Sequence, residues 1–399
     1  MEWKTAKLSS IAKFSQGKQI PIENQFMEDA INRDRFIRIV DFTSDFRELP
    51  RYVEANKKYH VDNEDIVMIR YGTPGRVFRG GTGIIANNMF KITYNEELID
   101  KDYGYWYLKQ KCIYNFLMLM NCSATMPAIS FKMLDRVHVR FPNLSVQHRI
   151  ASILSTYDTL IENNTKRIRL LEKMAENLYK EWFVRFRFPG HEKVEMENGL
   201  LKGWSIIKIK ELSNVKSGFA FKSEWFTDAG CRVAKIKDIG GVLMDTSDLS
   251  YVSEDNCKKA EKFILREGDL TIALTGATIG KISIVPKHRG LIYTNQRLGK
   301  FFNGDNPIEN LPFLYCLFAQ DIMVQDIMNL SNSSSAQPNI SPEQIGNIKF
   351  KGNMDLIKRY NEVAKGFFQE ILSLHEMNQN LARQRDLLLP RLMSGKLEV

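Results

Sequence analysis

Three clusters of hydrogen-bonding side chains occur twice along this 399-residue chain, in the same order. The first gathers Arg70, Tyr71, Thr73, Arg76 and Arg79; its later counterpart holds Thr275, Thr278 and Lys281. The second is Asn87 and Asn88, against Asn295, Gln296 and Arg297. The third is NCSATMPAIS, with Ser123 and Thr125, against SNSSSAQPNIS, with Ser333, Ser334, Ser335 and Gln337. Amide side chains match the donor and acceptor on an adenine edge, and a guanidinium matches the two acceptors of guanine. Cations among them suit phosphates, which position a protein on the duplex without specifying sequence. The chemistry on offer is recognition of nucleic acid. Taken singly, each of these residues is also what an ordinary turn or solvated loop carries.

Bond-making constellations are not found. The six histidines are dispersed, without H-E-x-x-H or H-x-E spacing. There is no G-x-S-x-G elbow and no Asp/Asn-Pro-Pro-Tyr/Phe run of an amino-methyltransferase. GATIGK, from Gly276 to Lys281, is one residue short of a phosphate loop and has Ile282 where a magnesium-binding hydroxyl belongs. Its counterpart, Gly72 to Arg76, lacks the lysine. Both read as turns between strands, with glycines supplying positive φ. The five cysteines are scattered and odd in number, as expected of reduced thiols in a cytoplasm. No apolar run approaches a membrane span, and no partner membrane is expected. A net charge of +9 suits an anionic partner.

The elements that must hold these clusters are themselves duplicated. Trp3 opens WKTAKLSSIAKFSQGKQI, and Trp204 opens WSIIKIKELSNVKSGFAF. DIVMIRYGTPGRV from Asp65 answers DLTIALTGATIGKI from Asp269, GIIANNMFKI answers GLIYTNQRLGKF, and MPAISFKMLDRVHV answers QPNISPEQIGNIKF. Four matched blocks in one order mean two copies of a domain rather than a short-repeat solenoid. Each copy begins with a mixed globular part carrying short β-like runs, Ile66 to Ile69 and Leu270 to Leu274. The aromatic cluster Tyr103, Tyr105, Trp106 and Tyr107 has rings that could stack bases, but its counterpart Phe313, Tyr315 and Phe318 keeps the apolar character, which favours a packed helix.

A long helix then follows in each copy. Ile150, Leu154, Tyr157, Ile161, Asn164, Ile168, Leu171, Ala175, Leu178 and Trp182 alternate spacings of four and three, a 3.5-residue seam. Tyr360, Ala364, Phe367, Ile371, Leu374, Asn378, Leu381, Arg385 and Leu388 repeat it, with Pro390 expected to end the helix. Polar Asn164, Asn378 and Arg385 interrupt the seam, a usual device for fixing register. Leu160, Met174 and Phe183 fall on outer faces and are expected to meet partner subunits. The polar, glycine-punctuated stretch 187–203 reads as a linker.

This organisation resembles the specificity subunits of type I restriction-modification systems, over essentially the whole chain. The residues carrying the resemblance are the openings at Trp3 and Trp204, the D-I/L-x-x-x blocks with their glycine turns, and the P-x-I-S blocks at Pro127 and Pro338. QHRIASIL from Gln147, LLEKMAENLYKEWF, and the ending LARQRDLLLPRLMSGKL add to it. One departure is that the segment from Asp355 to Tyr360 lacks the Gln-x-x-Ile of Gln147 to Ile150. The resemblance implies an α+β fold: two similar target-recognition domains of mixed α/β structure, each followed by a long helix, the helices pairing as an antiparallel coiled coil. The expected divisions are 1–145 and 204–352 for the two domains, 146–186 and 353–399 for the helices with the C-terminal tail, and 187–203 for the linker. Each domain would read one half of a split site in double-stranded DNA. Two modification (methyltransferase) subunits and restriction (translocase/nuclease) subunits would be the partners. S-adenosylmethionine, ATP and magnesium would belong to those partners, with no cofactor, metal or catalytic residue in this chain. Other readings stay open at this point: a subunit of a methylation-only or type IIB system, a stand-alone nuclease built from scattered carboxylates, or a duplicated scaffold.

Overall fold

The computed structural model describes residues 2–43, 49–120, 127–197, 200–331 and 338–399. Ser123, Thr125, Ser333, Ser334, Ser335 and Gln337 lie outside them. Two compact units result, and they do not divide at the repeat boundary: one comprises 1–161 with 380–399, the other 162–379.

In the first unit the main sheet is antiparallel, in the order Ala12–Gln16, Met89–Tyr94, Ile66–Ile69, Val77–Phe78. A second four-stranded sheet runs Arg51–Glu54, Arg33–Ile37, Gly83–Ile85, His60–Val61, with one parallel pairing between Arg33–Ile37 and Gly83–Ile85. Lys4–Lys7 pairs with His138–Phe141, closing the globular part just before the long helix. The second unit repeats this pairing for pairing. Its main sheet is Asn214–Ser217, Leu298–Phe302, Leu270–Ala273, Ile282–Ile284. Its second sheet again contains one parallel pair, Cys231–Ala234 with Ile292–Thr294, and Ser205–Lys208 pairs with Lys349–Gly352. The second sheet here has a fifth strand, Phe226–Thr227, where the first copy has only the single bridge Phe26 to Tyr52.

The central strands Ile66–Ile69 and Leu270–Ala273 are buried along their whole length; the first is apolar throughout, and in the second Thr271 donates its hydroxyl to the Ser283 carbonyl. The aspartate before each has a structural task. Asp65 and Asp269 cap the preceding turn by accepting from the backbone N–H of Asp62 and Arg266. Each also pairs with a lysine of the adjacent strand, Lys91 at 2.6 Å and Lys300 at 2.5 Å. The aromatic helix forms as expected: Lys101–Lys109 buries Tyr103, Tyr105, Trp106 and Tyr107, and Leu311–Phe318 is buried throughout.

The long helices are Leu144–Tyr179 and Met354–Met393. Asn143 and Asn353 cap them, each accepting from a backbone N–H three residues on. In the second unit, Asn164 donates to Asn378 at 2.9 Å, Arg167 pairs with Glu370 at 2.8 Å, and the Tyr360 hydroxyl donates to the Ala175 carbonyl at 2.8 Å. Residue numbers rise on one helix as they fall on the other, so the helices are antiparallel. In the first unit Arg385 pairs with Asp158. Thus the polar residues that interrupt the seam bond across it, while Ile150, Leu154, Ile168, Ala175, Tyr360, Ala364, Ile371 and Leu374 are buried.

Two expectations need correction. Pro390 does not end its helix, which continues to Met393. So near the C-terminus a proline forfeits little of the helical ladder, and burial of Leu389, Leu392 and Met393 in the first unit holds the last turn. Phe183 is not on an outer face. A π-helical turn, Lys180–Val184, follows the α-helix and shifts the helical phase there, and Phe183 is buried against Phe313, Tyr360 and Trp204. Among its described residues, the segment joining the two copies carries structure of its own: Phe188 is buried against Trp204, and Met196–Glu197 pairs with Leu200–Leu201. Among the described residues no helix is long and apolar enough to cross a membrane.

Candidate nucleic-acid interface

Among the described residues, each copy brings its glycine turn, its amide loop and its P-x-I-S block to one place, the C-terminal end of its central strand; Arg79 lies apart, beyond Phe78 on the neighbouring strand. In the first, the Arg70 N–H donates to the Asn88 carbonyl at 2.8 Å, and the Ile129 N–H donates to the Arg70 carbonyl at 2.8 Å. In the second, Leu274 donates to Arg297 at 3.0 Å and Ile340 donates to Leu274 at 3.0 Å. Tyr71 bridges Ala128, and Thr275 bridges Asn339. These bonds also fix the correspondence between copies: Asn87 and Asn88 answer Gln296 and Arg297, and Ala86 answers Asn295.

The P-x-I-S block is therefore a fastener. Its isoleucine, Ile129 or Ile340, is buried and its N–H is spent on the strand end. Its serine caps the short helix that follows: Ser130 accepts from the Met133 N–H and Ser341 from the Gln344 N–H. Polar segment 121–126 or 332–337 immediately precedes each fastener in sequence.

The glycine turns behave as the sequence implies. Gly72 and Gly75 have φ of +100° and +82°, and Gly276 and Gly280 have +78° and +81°, and each loop turns its central strand back into an antiparallel neighbour, Val77–Phe78 or Ile282–Ile284. A second glycine device escapes the sequence pattern. At Gly17 and Gly218 an added Cβ would lie 2.3 and 2.2 Å from the carbonyl oxygens of Ala86 and Thr294, so only glycine lets the chain pass the amide loop there.

The side chains differ in how they are held. Thr73 and Arg76 are exposed, as are Lys281, Gln296 and Arg297; Arg70, Tyr71, Asn87, Asn88 and Asn295 are half-buried. Arg70 donates to Gln16 at 2.6 Å, and Asn87 donates to Gln19 at 3.3 Å. Asn88 Oδ1, Thr275 Oγ1 and Thr278 Oγ1 are buried without a hydrogen-bond partner. Arg79 has a structural use: it pairs with Asp102, donates to Ser155 at 3.3 Å and lies 4.2 Å over the Tyr105 ring. Gln16 and Gln19 join the site only in three dimensions, since nothing in their local spacing distinguishes them from surface glutamines.

The long helices bear their own polar anchors. Gln147 is fully buried; its side chain accepts from the Asp100 N–H and donates to the carbonyls of Leu98 and Pro142, each at 2.9 Å. The second helix lacks that glutamine, and Asn361 takes the comparable task by accepting from the Phe313 N–H at 2.8 Å. Leu160 and Met174 are about half exposed, and Leu170, Val363, Met377 and Leu387 add to the uncovered apolar surface of the helices.

A family model described as the Type I restriction modification DNA specificity domain matches residues 1–173 and 201–351, one match per copy. Among curated proteins, the chain is similar to the MjaVIII specificity subunit of a type I restriction enzyme from Methanocaldococcus jannaschii: 24% identical, covering 100% of this chain and 93% of that one. The HindI specificity subunit of Haemophilus influenzae is 22% identical, over 69% of this chain and 72% of that protein. Among solved structures, a type I restriction-modification S subunit from M. genitalium shares the fold, with a TM-score of 0.56, 19% identity, and coverage of 98% and 96%. With both copies matched by the family model, the chain belongs to the DNA specificity subunits of type I restriction-modification enzymes, whose part is recognition of DNA and not catalysis.

Proposed function

We propose that each copy reads one half of a bipartite site in double-stranded DNA, through the loops at the end of its central strand. The observation that carries this is the convergence, in both copies, of the strand end, the amide loop and the P-x-I-S fastener. The frame is the same while the side chains set on it differ: Arg70, Tyr71, Thr73, Arg76, Asn87 and Asn88 in one, Thr275, Thr278, Lys281, Asn295, Gln296 and Arg297 in the other, where the two threonine hydroxyls are buried. A shared frame with different donors is what reading two different half-sites requires. Ser123 and Thr125, and Ser333, Ser334, Ser335 and Gln337 of the second copy, are assigned to the same reading role from the sequence alone.

Two modification subunits would dock on the helices, with Leu160 and Met174 in the contact, and restriction subunits would join through them. S-adenosylmethionine, ATP and magnesium would be bound by those partners, in the cytoplasm. The test is to replace Asn295, Gln296 and Arg297 together in one variant and Arg70 with Arg76 in another. Each set should alter one half-site only, at about 1–3 kcal/mol per lost base contact. If either set weakens all sequences equally and flattens the salt dependence, those residues hold phosphates and not bases.

A further inference from the structure

Gln16 ends the strand Ala12–Gln16, beside the glycine that the chain needs in order to pass Ala86. Its backbone is thereby fixed: Gln16 pairs with Phe90 across the sheet, and the Gly17 N–H donates to the Met89 carbonyl at 3.0 Å. From that place its carboxamide makes two bonds. Oε1 accepts from Arg70 Nη1 at 2.6 Å, and Nε2 donates to the Asn87 carbonyl at 3.0 Å. One side chain therefore ties the arginine of the strand end to the amide loop. The Arg70 guanidinium also lies 6.0 Å from the ring of Phe131, which stacks on Phe14 at 5.5 Å.

The second copy does not repeat this arrangement. The position of Arg70 is taken by buried Leu274, that of Gln16 by Ser217, and the guanidinium appears instead on the amide loop, at exposed Arg297. The tie is a device of the first copy alone.

A guanidinium has five donors in a rigid plane, and a bidentate contact to guanine uses two of them in one orientation. An unheld arginine loses considerable side-chain freedom on adopting that orientation. A bond at Nη1 from a fixed strand removes part of that cost beforehand and restricts the plane to fewer orientations. We infer that Gln16 is a positioning residue for base selection: it holds Arg70 so that the first copy selects a base presenting two acceptors, guanine, at one position of its half-site. This rests on the reading of that cluster as a DNA interface.

The test uses the assembled complex with its partner subunits and duplexes carrying every single-base change in the first half-site, once mapping of modified bases has given that sequence. Four chains are compared: unaltered, Arg70→Ala, Gln16→Met and Gln16→Glu. Methionine keeps the length of the side chain without its hydrogen bonds, while glutamate keeps the acceptor for Arg70. Arg70→Ala should reduce discrimination at one guanine by about 5- to 100-fold. Gln16→Met should reduce discrimination at that same position by about 2- to 10-fold, the value of one immobilised flexible side chain, with the second half-site unchanged. Gln16→Glu should retain the preference even if overall affinity falls. If Arg70→Ala relaxes one position and Gln16→Met changes none, the positioning role is wrong and the interface stands. The positioning role is equally wrong if Gln16→Met weakens every duplex to the same degree, because a purely structural glutamine would do that. If Arg70→Ala alters no position, Arg70 is not a reader and the inference falls with it.

Discussion

Gln147 offers the sharpest test of how the first long helix is joined to its globular domain. The Gln147→Leu substitution keeps the size and removes three hydrogen bonds. The bond to the Pro142 carbonyl is buried, and those to Asp100 and Leu98 are partly buried. An unsatisfied buried group costs about 1–3 kcal/mol, and a typical partly exposed bond contributes about 0.5–1.5 kcal/mol. The leucine recovers some of this by apolar burial, leaving a net loss of about 3 kcal/mol. For a unit of this size that corresponds to a fall of about 6–12 °C in melting temperature. Thermal unfolding followed by circular dichroism measures it, on the full chain. The Asn361→Leu variant should act on the second unit instead, and by less, since a single bond to the Phe313 N–H is lost. A Gln147→Leu chain that melts with the unaltered protein would refute the reasoning, because the three backbone groups would then have found other partners.

Phe183 and Met174 separate fold from assembly. Phe183→Ala should destabilise the chain by about 3–5 kcal/mol in denaturant titration. Met174→Ser should leave folding within about 0.5 kcal/mol and weaken co-purification with partner subunits; equal effects on stability would remove the distinction. The carboxyl of Asp238 is pushed up to about 6 by burial, against the opposing pull of the Lys235 backbone N–H and Lys237. Its acid form is therefore favoured by folding, so its contribution is full below the ordinary carboxyl range near 4 and is lost as pH rises through about 6. Stability measured between pH 4 and 7 should lose that slope, of the order of 1–3 kcal/mol, in Asp238→Asn.

The sequence is most readable where the physics is local or periodic. The duplication, the central strands, the glycine turns and the helical seam all follow from patterns a few residues long. Even the seam's flaws are informative, since Asn164 and Asn378 meet each other and Arg385 meets Asp158. What escapes is non-local. The parallel pairing of Arg33–Ile37 with Gly83–Ile85 joins segments far apart in sequence, and neither segment announces its partner. Arg79 looks like a surface cation beside glycines, but Asp102 and Ser155 claim it from other elements. Phe183 is misplaced by the pattern because periodicity extrapolated past Tyr179 assumes an α-helical phase that the π turn does not keep. Gln16 is legible as part of the site only after the sheet brings Arg70 beside it.

That this chain supplies bipartite DNA specificity to a modifying complex is tested most directly by a genome-wide map of modified bases made with the gene intact, deleted and restored. The map should show one motif of two short blocks separated by a fixed gap, modified with the gene, unmodified without it, and modified again on restoration. A map unchanged by deletion, or a lost motif that is a single uninterrupted block, would contradict it.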